Sequence, residues 1–217
     1  MGGLLHDFGK LKLDQYLAET NDAINQKDFT EYERYVEMGK EILESSWDLP
    51  KRVLEIVAYY HERYDGSGYP EELKGEEIPP LAQIVAMTDV YEAITADRSY
   101  EALLTPYDAV QKMAGWKGTS FNPTWVDKLV ECMGLYPIGT LVQLNNGCIG
   151  FVKLVNHAHL GCPVVVTLFD SKNRKSMDRQ VVDLLDMKEK NLSNPISIDR
   201  VVSPNYWEFD LETCLFN

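Results

Sequence analysis

The sequence lacks any long hydrophobic run. Cys162 to Phe169, broken only by Pro163 and Thr167, is typical of its apolar stretches and falls far short of the roughly 20 residues that a membrane-spanning helix requires. A basic, apolar leader ending in small residues is missing too, which argues against secretion. Cysteine is sparse: Cys132, Cys148, Cys162 and Cys214 are scattered without a CxxC pair, so neither a disulfide frame nor a cysteine zinc site is indicated. Basic residues are outnumbered, and the net charge is −13. This excludes a general affinity for nucleic acid, which rests on lysine and arginine neutralising phosphates. No internal repeat and no low-complexity segment is present. These absences point to a cytoplasmic protein that neither enters a membrane nor binds nucleic acid.

What is present is an ordinary globular composition, 45% hydrophobic over 217 residues, enough for one large domain or two small ones. The charge is uneven. Residues 1–135 carry 13 basic and 25 acidic side chains, whereas residues 136–217 carry 8 and 9. An anionic ligand of the first part needs local cations, from metal ions or from placed Lys and Arg.

The texture changes in the same place. Val53, Ile56, Val57 and Tyr60 recur at helical spacing between Pro50 and Tyr64, with Asp48 suited to cap the start and Pro50 to the first turn. Further helices are expected over about Thr30–Ser46, Leu81–Asp97, Pro106–Gly115 and Pro123–Met133. After Gly134 and Pro137 the pattern is that of strands. Thr140–Leu144 and Cys148–Val155 flank an Asn146-Gly147 turn, the cue for a two-residue hairpin, and Val164–Phe169 and Gln180–Leu184 come next. The expectation is an α+β chain: an all-α helical domain over 1–135, then a β-rich domain over 136–217, a small barrel or compact sheet of about five strands.

Three stretches could carry chemistry. In Gly3-Leu4-Leu5-His6-Asp7-Phe8-Gly9-Lys10, adjacent imidazole and carboxylate can share one metal or serve two metals bridged by the carboxylate. The dipeptide alone also reads as a helix end that hydrogen-bonds to itself. In Tyr60-His61-Glu62-Arg63-Tyr64-Asp65-Gly66-Ser67-Gly68-Tyr69-Pro70, a helix end runs into a glycine-rich loop able to set His61 and backbone N–H groups beside a phosphate, or simply to turn the chain. Asp89 shares a helix face with Val85, Ala93 and Ala96. Buried there it needs a metal or a cation, and at the edge of the apolar stripe it needs neither.

Taken together, GLLHDFGK, HERYDGSGYP, LKGEEIP and IVAMTDVYEAITADRSY resemble the HD-GYP branch of the HD phosphohydrolase superfamily over roughly residues 2–135. The resemblance implies an HD-type helical bundle with a centre of two or three metals, often iron or manganese, that activates a hydroxide to hydrolyse cyclic di-GMP. His6 and Asp7 match the paired metal ligands, His61 one histidine of a two-histidine pair, and Asp89 the late aspartate ligand. Lys10 and Arg98 match the basic residues that steady substrate phosphates. Asp65, Gly66, Gly68, Tyr69 and Pro70 belong to the signature loop that shapes the substrate pocket. Asp7 and Lys10 are thereby the implied catalytic residues.

The departures are as informative. Tyr35 and Tyr60 stand where the family has ligand histidines. A phenol with a pKa near 10 is a poor replacement for neutral imidazole around a divalent ion, although phenolate binds ferric iron. Glu92 replaces an Asp, and Glu101 replaces a phosphate-binding Lys. Only five residues precede His6, where the family supplies a further Glu and His. Either Met1 is internal to a longer natural chain or that part of the site is lacking, and its loss would expose apolar surface around Leu4 and Leu5 and open a route to a homodimer or to misfolding. The expected reading is a degenerate homologue with one divalent ion or none. It would bind cyclic di-GMP, a related nucleotide or a signalling-domain protein with weak or no turnover. An active phosphodiesterase and a single-metal phosphohydrolase on another nucleotide are the alternatives. His157 and His159, without partners at ligand spacing, read as surface-loop histidines.

Overall fold

The structure is a computed structural model that describes residues 1–13, 33–96, 104–172, 174, 179–190 and 194–202. Arg98, Glu101 and Cys214 therefore lie outside the described residues, as do the first residues of the Thr30–Ser46 helix and the last of Leu81–Asp97. The described helices are α1 (Gly2–Leu5), α2 (Tyr35–Ser46), α3 (Lys51–Tyr59), α4 (Pro80–Thr95), α5 (Pro106–Gly115), α6 (Pro123–Met133) and α7 (Leu184–Glu189). Short 3₁₀ turns cover Phe8–Lys12 and Gly75–Glu77. The strands are β1 (Leu141–Leu144), β2 (Ile149–Leu154), β3 (Val164–Phe169), β4 (Val181–Asp183) and β5 (Ile198–Val201). The α+β class expected from the sequence is the class observed. Among the described residues no helix is long and apolar enough to cross a membrane.

The chain forms two compact units, Met1–Leu103 with Met113–Val126, and Leu104–Lys112 with Asp127–Asn217. In the first unit α2 packs against the Phe8–Lys12 turn and against α3, while α3 also packs on α1 and α4. The periodicity explains these contacts. Tyr35, Val36, Gly39 and Leu43 line one face of α2, and Val53, Ile56 and Val57 line the facing stripe of α3. Three local expectations are corrected. Pro50 itself takes the N-cap of α3, with φ −55° and ψ 137°, and no side chain caps that end. The helix stops at Tyr59 rather than Tyr64, because the N–H of Glu62 bonds back to Tyr59 and the chain turns into the glycine-rich loop. Gln180–Leu184 yields only a three-residue strand, since the Asp183 carboxylate accepts from the N–H groups of Leu185 and Asp186 and starts α7 at Leu184.

In the second unit the strands pair antiparallel in the order β4-β3-β2-β1-β5, an open sheet rather than a closed barrel among the described residues. Both faces are covered. Val142, Leu144, Val152, Val165, Val182 and Leu184 form one apolar cluster, and Leu141, Phe151, Val166 and Leu168 another. The hairpin between β1 and β2 has a three-residue loop, not two. Leu144 accepts from the Gly147 N–H and donates to the Cys148 carbonyl, and Gly147 sits at φ 86°, the left-handed position that such a loop gives to glycine.

One close approach in the first unit sets where His6 and Asp7 lie relative to α2. A Cβ at Gly9 would lie 1.8 Å from the Tyr35 carbonyl oxygen and 2.8 Å from the Gly39 nitrogen, so only glycine lets the segment after His6-Asp7 lie directly on α2. Replacing Gly9 by alanine should therefore cost about 1–3 kcal/mol of stability through overpacking against backbone. Gly161→Ala, which meets nothing within 4 Å, should stay within about 0.5 kcal/mol of the parent. Urea denaturation midpoints measure both, and equal midpoints for the two variants would contradict the packing described.

Candidate functional site

His6 ends α1 in right-handed helical conformation, and its Nδ1 lies 2.7 Å from the Gly3 carbonyl oxygen. A carbonyl only accepts, so Nδ1 carries the proton and Nε2 is the free ring nitrogen. Nε2 is buried without a hydrogen-bond partner. It stands 3.5 Å from Asp7 Oδ2 and 3.5 Å from Asp89 Oδ1. A lone pair aimed between two carboxylates favours a proton or another cation, and the His6 pKa is raised accordingly. Asp89 is the largest influence, burial opposes it, and Asp7 and the Gly3 carbonyl add to the rise. Asp89 itself is 28% exposed, which matches the edge-of-stripe reading rather than a fully buried carboxylate.

Asp7 divides its oxygens between two neighbourhoods. Oδ2 accepts from Lys10 Nζ at 2.8 Å and faces His6, whereas Oδ1 accepts from the Tyr60 hydroxyl at 2.8 Å and from the Tyr35 hydroxyl at 3.4 Å. Burial raises its pKa, but the Lys10 bond and charge with the Tyr60 bond outweigh it, and the net shift is downward. Tyr35 and Tyr60 are fully buried, at 0% and 1% exposure. Their hydroxyls are hydrogen-bonded to each other, and the Tyr35 hydroxyl lies 2.5 Å from His61 Nε2. Burial, then the neighbouring Tyr35 and Asp7, push the Tyr60 hydroxyl well above the ordinary phenol range.

His61 is neutral in this arrangement. Burial pushes its imidazole down to about 3, Arg63 adds to the depression, and Asp89 and Asp7 oppose it. Its ring stacks on Tyr69 with centroids 4.6 Å apart and planes 19° apart. The structure thus brings His6, Asp7, Lys10, Tyr35, Tyr60, His61, Tyr69 and Asp89 into one neighbourhood. Of the remaining loop residues, Asp65 is exposed and accepts from the Ser67 N–H, turning its own loop. Pro70 joins Tyr69 through a cis peptide bond and lines a groove of about 430 Å³ with Tyr59 and Glu71. Gly66 sits at φ 82°, and a Cβ at Gly68 would lie 2.3 Å from the Arg63 nitrogen. His157 and His159 are exposed.

Two residues of this region were not singled out from the sequence. Glu62 is 2% exposed, and its two oxygens accept from the N–H groups of Glu71 and Leu73 at 2.8 and 3.1 Å, tying the far end of the signature loop to the end of α3. Burial raises its pKa while those two bonds lower it, and the net shift is upward. Arg63 lies over the Phe121 ring, 5.9 Å from its centroid. The sequence signal for Glu62 is its place beside His61, three residues beyond the end of α3 at Tyr59.

A family model described as HD domain matches residues 1–125. The chain belongs to the HD domain family. Its relatives include the cyclic di-GMP phosphodiesterase PA4108 of Pseudomonas aeruginosa, 34% identical over 184 residues, which cover 85% of this chain and 44% of that protein. Another is the 3'3'-cGAMP-specific phosphodiesterase 2 of Vibrio cholerae, 35% identical over 128 residues, 58% of this chain and 24% of that protein. A solved structure, Bd1817, a HDG"Y"P protein from Bdellovibrio bacteriovorus, overlays on 60% of this chain and 41% of that one with 19% identity and a TM-score of 0.48. The chain spans less than half the length of these relatives, and the HD-GYP resemblance carried by its motifs holds.

HD phosphohydrolases use divalent metal. The residues present do not fit a centre of several such ions. His61 faces the Tyr35 hydroxyl rather than a carboxylate. What remains is His6 Nε2 between two carboxylates.

The two histidines should titrate in opposite senses. His61, depressed from 6.5 to about 3, binds fewer protons folded than unfolded in that window, so its stabilisation is present above pH 6.5 and is lost as pH falls toward 3. His6, raised above 6.5, stabilises fully below that value and less as pH rises through its folded pKa. In an NMR titration with chelator present, His6 should change protonation above pH 6.5 and His61 should stay neutral to about pH 4. A His61 resonance titrating near 6.5 would contradict the buried, hydroxyl-bonded imidazole.

Proposed function

We propose that this chain is a degenerate HD-GYP homologue that binds cyclic di-GMP or a related cyclic dinucleotide with weak or no turnover, and that it acts by binding rather than by hydrolysis. The observation carrying this reading is the occupation of His61 Nε2 by the Tyr35 hydroxyl, with the Tyr60 hydroxyl on Asp7 Oδ1. Hydrogen bonds take the places where the family's histidines would hold metal, and paired metals are what activate water and clamp a phosphodiester in such centres. The binding role rests on Lys10 and Arg98 and on the loop from Asp65 to Pro70, because charge-assisted bonds to phosphate survive the loss of a metal. A helical domain over 1–135 that binds the nucleotide, a β-rich domain over 136–217, a cytoplasmic setting, self-association and a signalling-domain partner belong to the same proposal.

A single-metal phosphohydrolase is the second reading. It is favoured by His6 Nε2, a buried ring nitrogen with no hydrogen-bond partner between Asp7 and Asp89.

Calorimetry with cyclic di-GMP beside a phosphodiesterase assay containing added iron or manganese separates the readings. The expected outcome is binding without appreciable hydrolysis, and Lys10→Ala should weaken binding by about tenfold, the worth of one charge-assisted bond. Robust metal-dependent hydrolysis would overturn the proposal. Replacing both tyrosines by histidine, Tyr35→His with Tyr60→His, should raise the bound manganese measured by elemental analysis above that of the parent chain. No gain in a folded double variant would mean that the hydroxyls are not what keeps divalent ions out.

A further inference from the structure

Arg63 stands two residues beyond His61, at the start of the glycine-rich loop, and the motif resemblance gives it no role, since the substrate cations it implies are Lys10 and Arg98. The loop returns over it so closely that a Cβ at Gly68 would lie 2.3 Å from the Arg63 nitrogen and 2.5 Å from the His61 carbonyl oxygen. The next residue, Tyr69, stacks on the His61 ring. The guanidinium lies over the Phe121 ring, 5.9 Å from its centroid, and Nη1 donates to the Glu62 carbonyl at 3.2 Å. A guanidinium carries five N–H donors in a rigid fork. Among the described residues no other hydrogen bond and no ion pair engages this one, whereas Lys10 is paired with Asp7 at 2.8 Å.

A half-buried cation with no carboxylate bound to it attracts an anion, because burial removes its water and supplies no countercharge. Burial lowers the Arg63 pKa accordingly, with Tyr69, Asp89, Asp65 and Glu62 opposing, and the Arg63 charge is felt at His61. The guanidinium therefore acts on the same neighbourhood as His61, Tyr69 and Asp89. We infer that Arg63 is an anion-binding residue of this site and holds one phosphodiester group of the ligand through two N–H bonds. A guanine edge satisfies the same donors but is neutral, whereas phosphate oxygens satisfy them and supply the missing charge. Lysine replaces such a contact only in part, because its ammonium is a point charge without the fork. That the phosphodiester belongs to a cyclic dinucleotide rests on the functional reading above, and the anion site itself does not.

The test uses the full 217-residue chain with nitrogen-15 in its arginines. Dimethyl phosphate, the smallest phosphodiester, should shift the Arg63 Nε–H resonance and leave in place that of Arg52, an exposed arginine of α3. In calorimetry Arg63→Ala should weaken cyclic di-GMP and cyclic di-AMP alike, by about ten- to a hundredfold, the worth of a charge-assisted contact. Arg63→Lys should fall between it and the parent, and Arg52→Ala should match the parent. Loss confined to cyclic di-GMP would assign Arg63 to the base and overturn the phosphate contact. Parent affinity for cyclic di-GMP in a folded Arg63→Ala chain refutes the Arg63 site and leaves the nucleotide reading standing, as does cyclic di-GMP binding to the parent that leaves the Arg63 resonance unmoved. A resonance shifted by dimethyl phosphate in a chain that binds no cyclic dinucleotide refutes the nucleotide reading alone. A resonance moved by neither dimethyl phosphate nor cyclic di-GMP overturns the anion site whether or not the variants fold.

Discussion

The organisation of this site depends on how one carboxylate, Asp7, is shared. Its two oxygens face opposite groups, a lysine and an imidazole on one side and two buried phenols on the other. Each buried polar atom needs a partner, since leaving one unmade costs about 1–3 kcal/mol. In a metal-loaded centre the ion is that partner. Here the tyrosine hydroxyls satisfy Asp7 Oδ1 and His61 Nε2 through hydrogen bonds. His6 Nε2 is the exception, a buried ring nitrogen with two carboxylates near it and no hydrogen bond.

The supporting frame follows from close packing rather than from chemistry. Gly9 lets the segment bearing Asp7 and Lys10 lie on the backbone of α2 beside Tyr35, and Glu62 holds the glycine-rich loop by two of its backbone N–H groups. The stacked Tyr69 ring fixes the face of His61. Hydroxyls, carboxylate and imidazole are therefore held by elements distant in sequence, and a single substitution among them redistributes several hydrogen bonds at once.

Much of this architecture is legible in the residues themselves. The helical stripe of Val53, Ile56, Val57 and Tyr60 and the short, nearly continuous apolar runs of β2 and β3 report period and burial directly, so the α+β division is plain from the pattern alone. The motif register also names Tyr35 and Tyr60, whose ligand positions are set by spacing from Gly39 and His61. Less legible are features settled by contacts across long sequence separations. Glu62 looks like any charged residue after a helix, and only the return of Glu71 and Leu73 makes it a buried acceptor. The short β4 and the start of α7 turn on the Asp183 carboxylate capping two N–H groups, a choice that strand propensity in Val181 and Val182 conceals. β5 pairs with β1 across more than fifty residues, beyond the reach of local pattern. The Asn146-Gly147 turn is visible in the sequence, but its length is set by the Leu144 and Cys148 pairing.

If the tyrosine hydroxyls occupy the places where divalent metals would bridge the site, the cluster should keep its hydrogen bonds even when such metals are abundant. Anomalous diffraction from crystals of the chain soaked in manganese measures this. The expected map has no pair of manganese peaks bridged by Asp7, and a Tyr35 hydroxyl still against His61 Nε2. Two manganese ions bridged by Asp7, with Tyr35 and Tyr60 turned out of the cluster and His61 bound to metal, would contradict it.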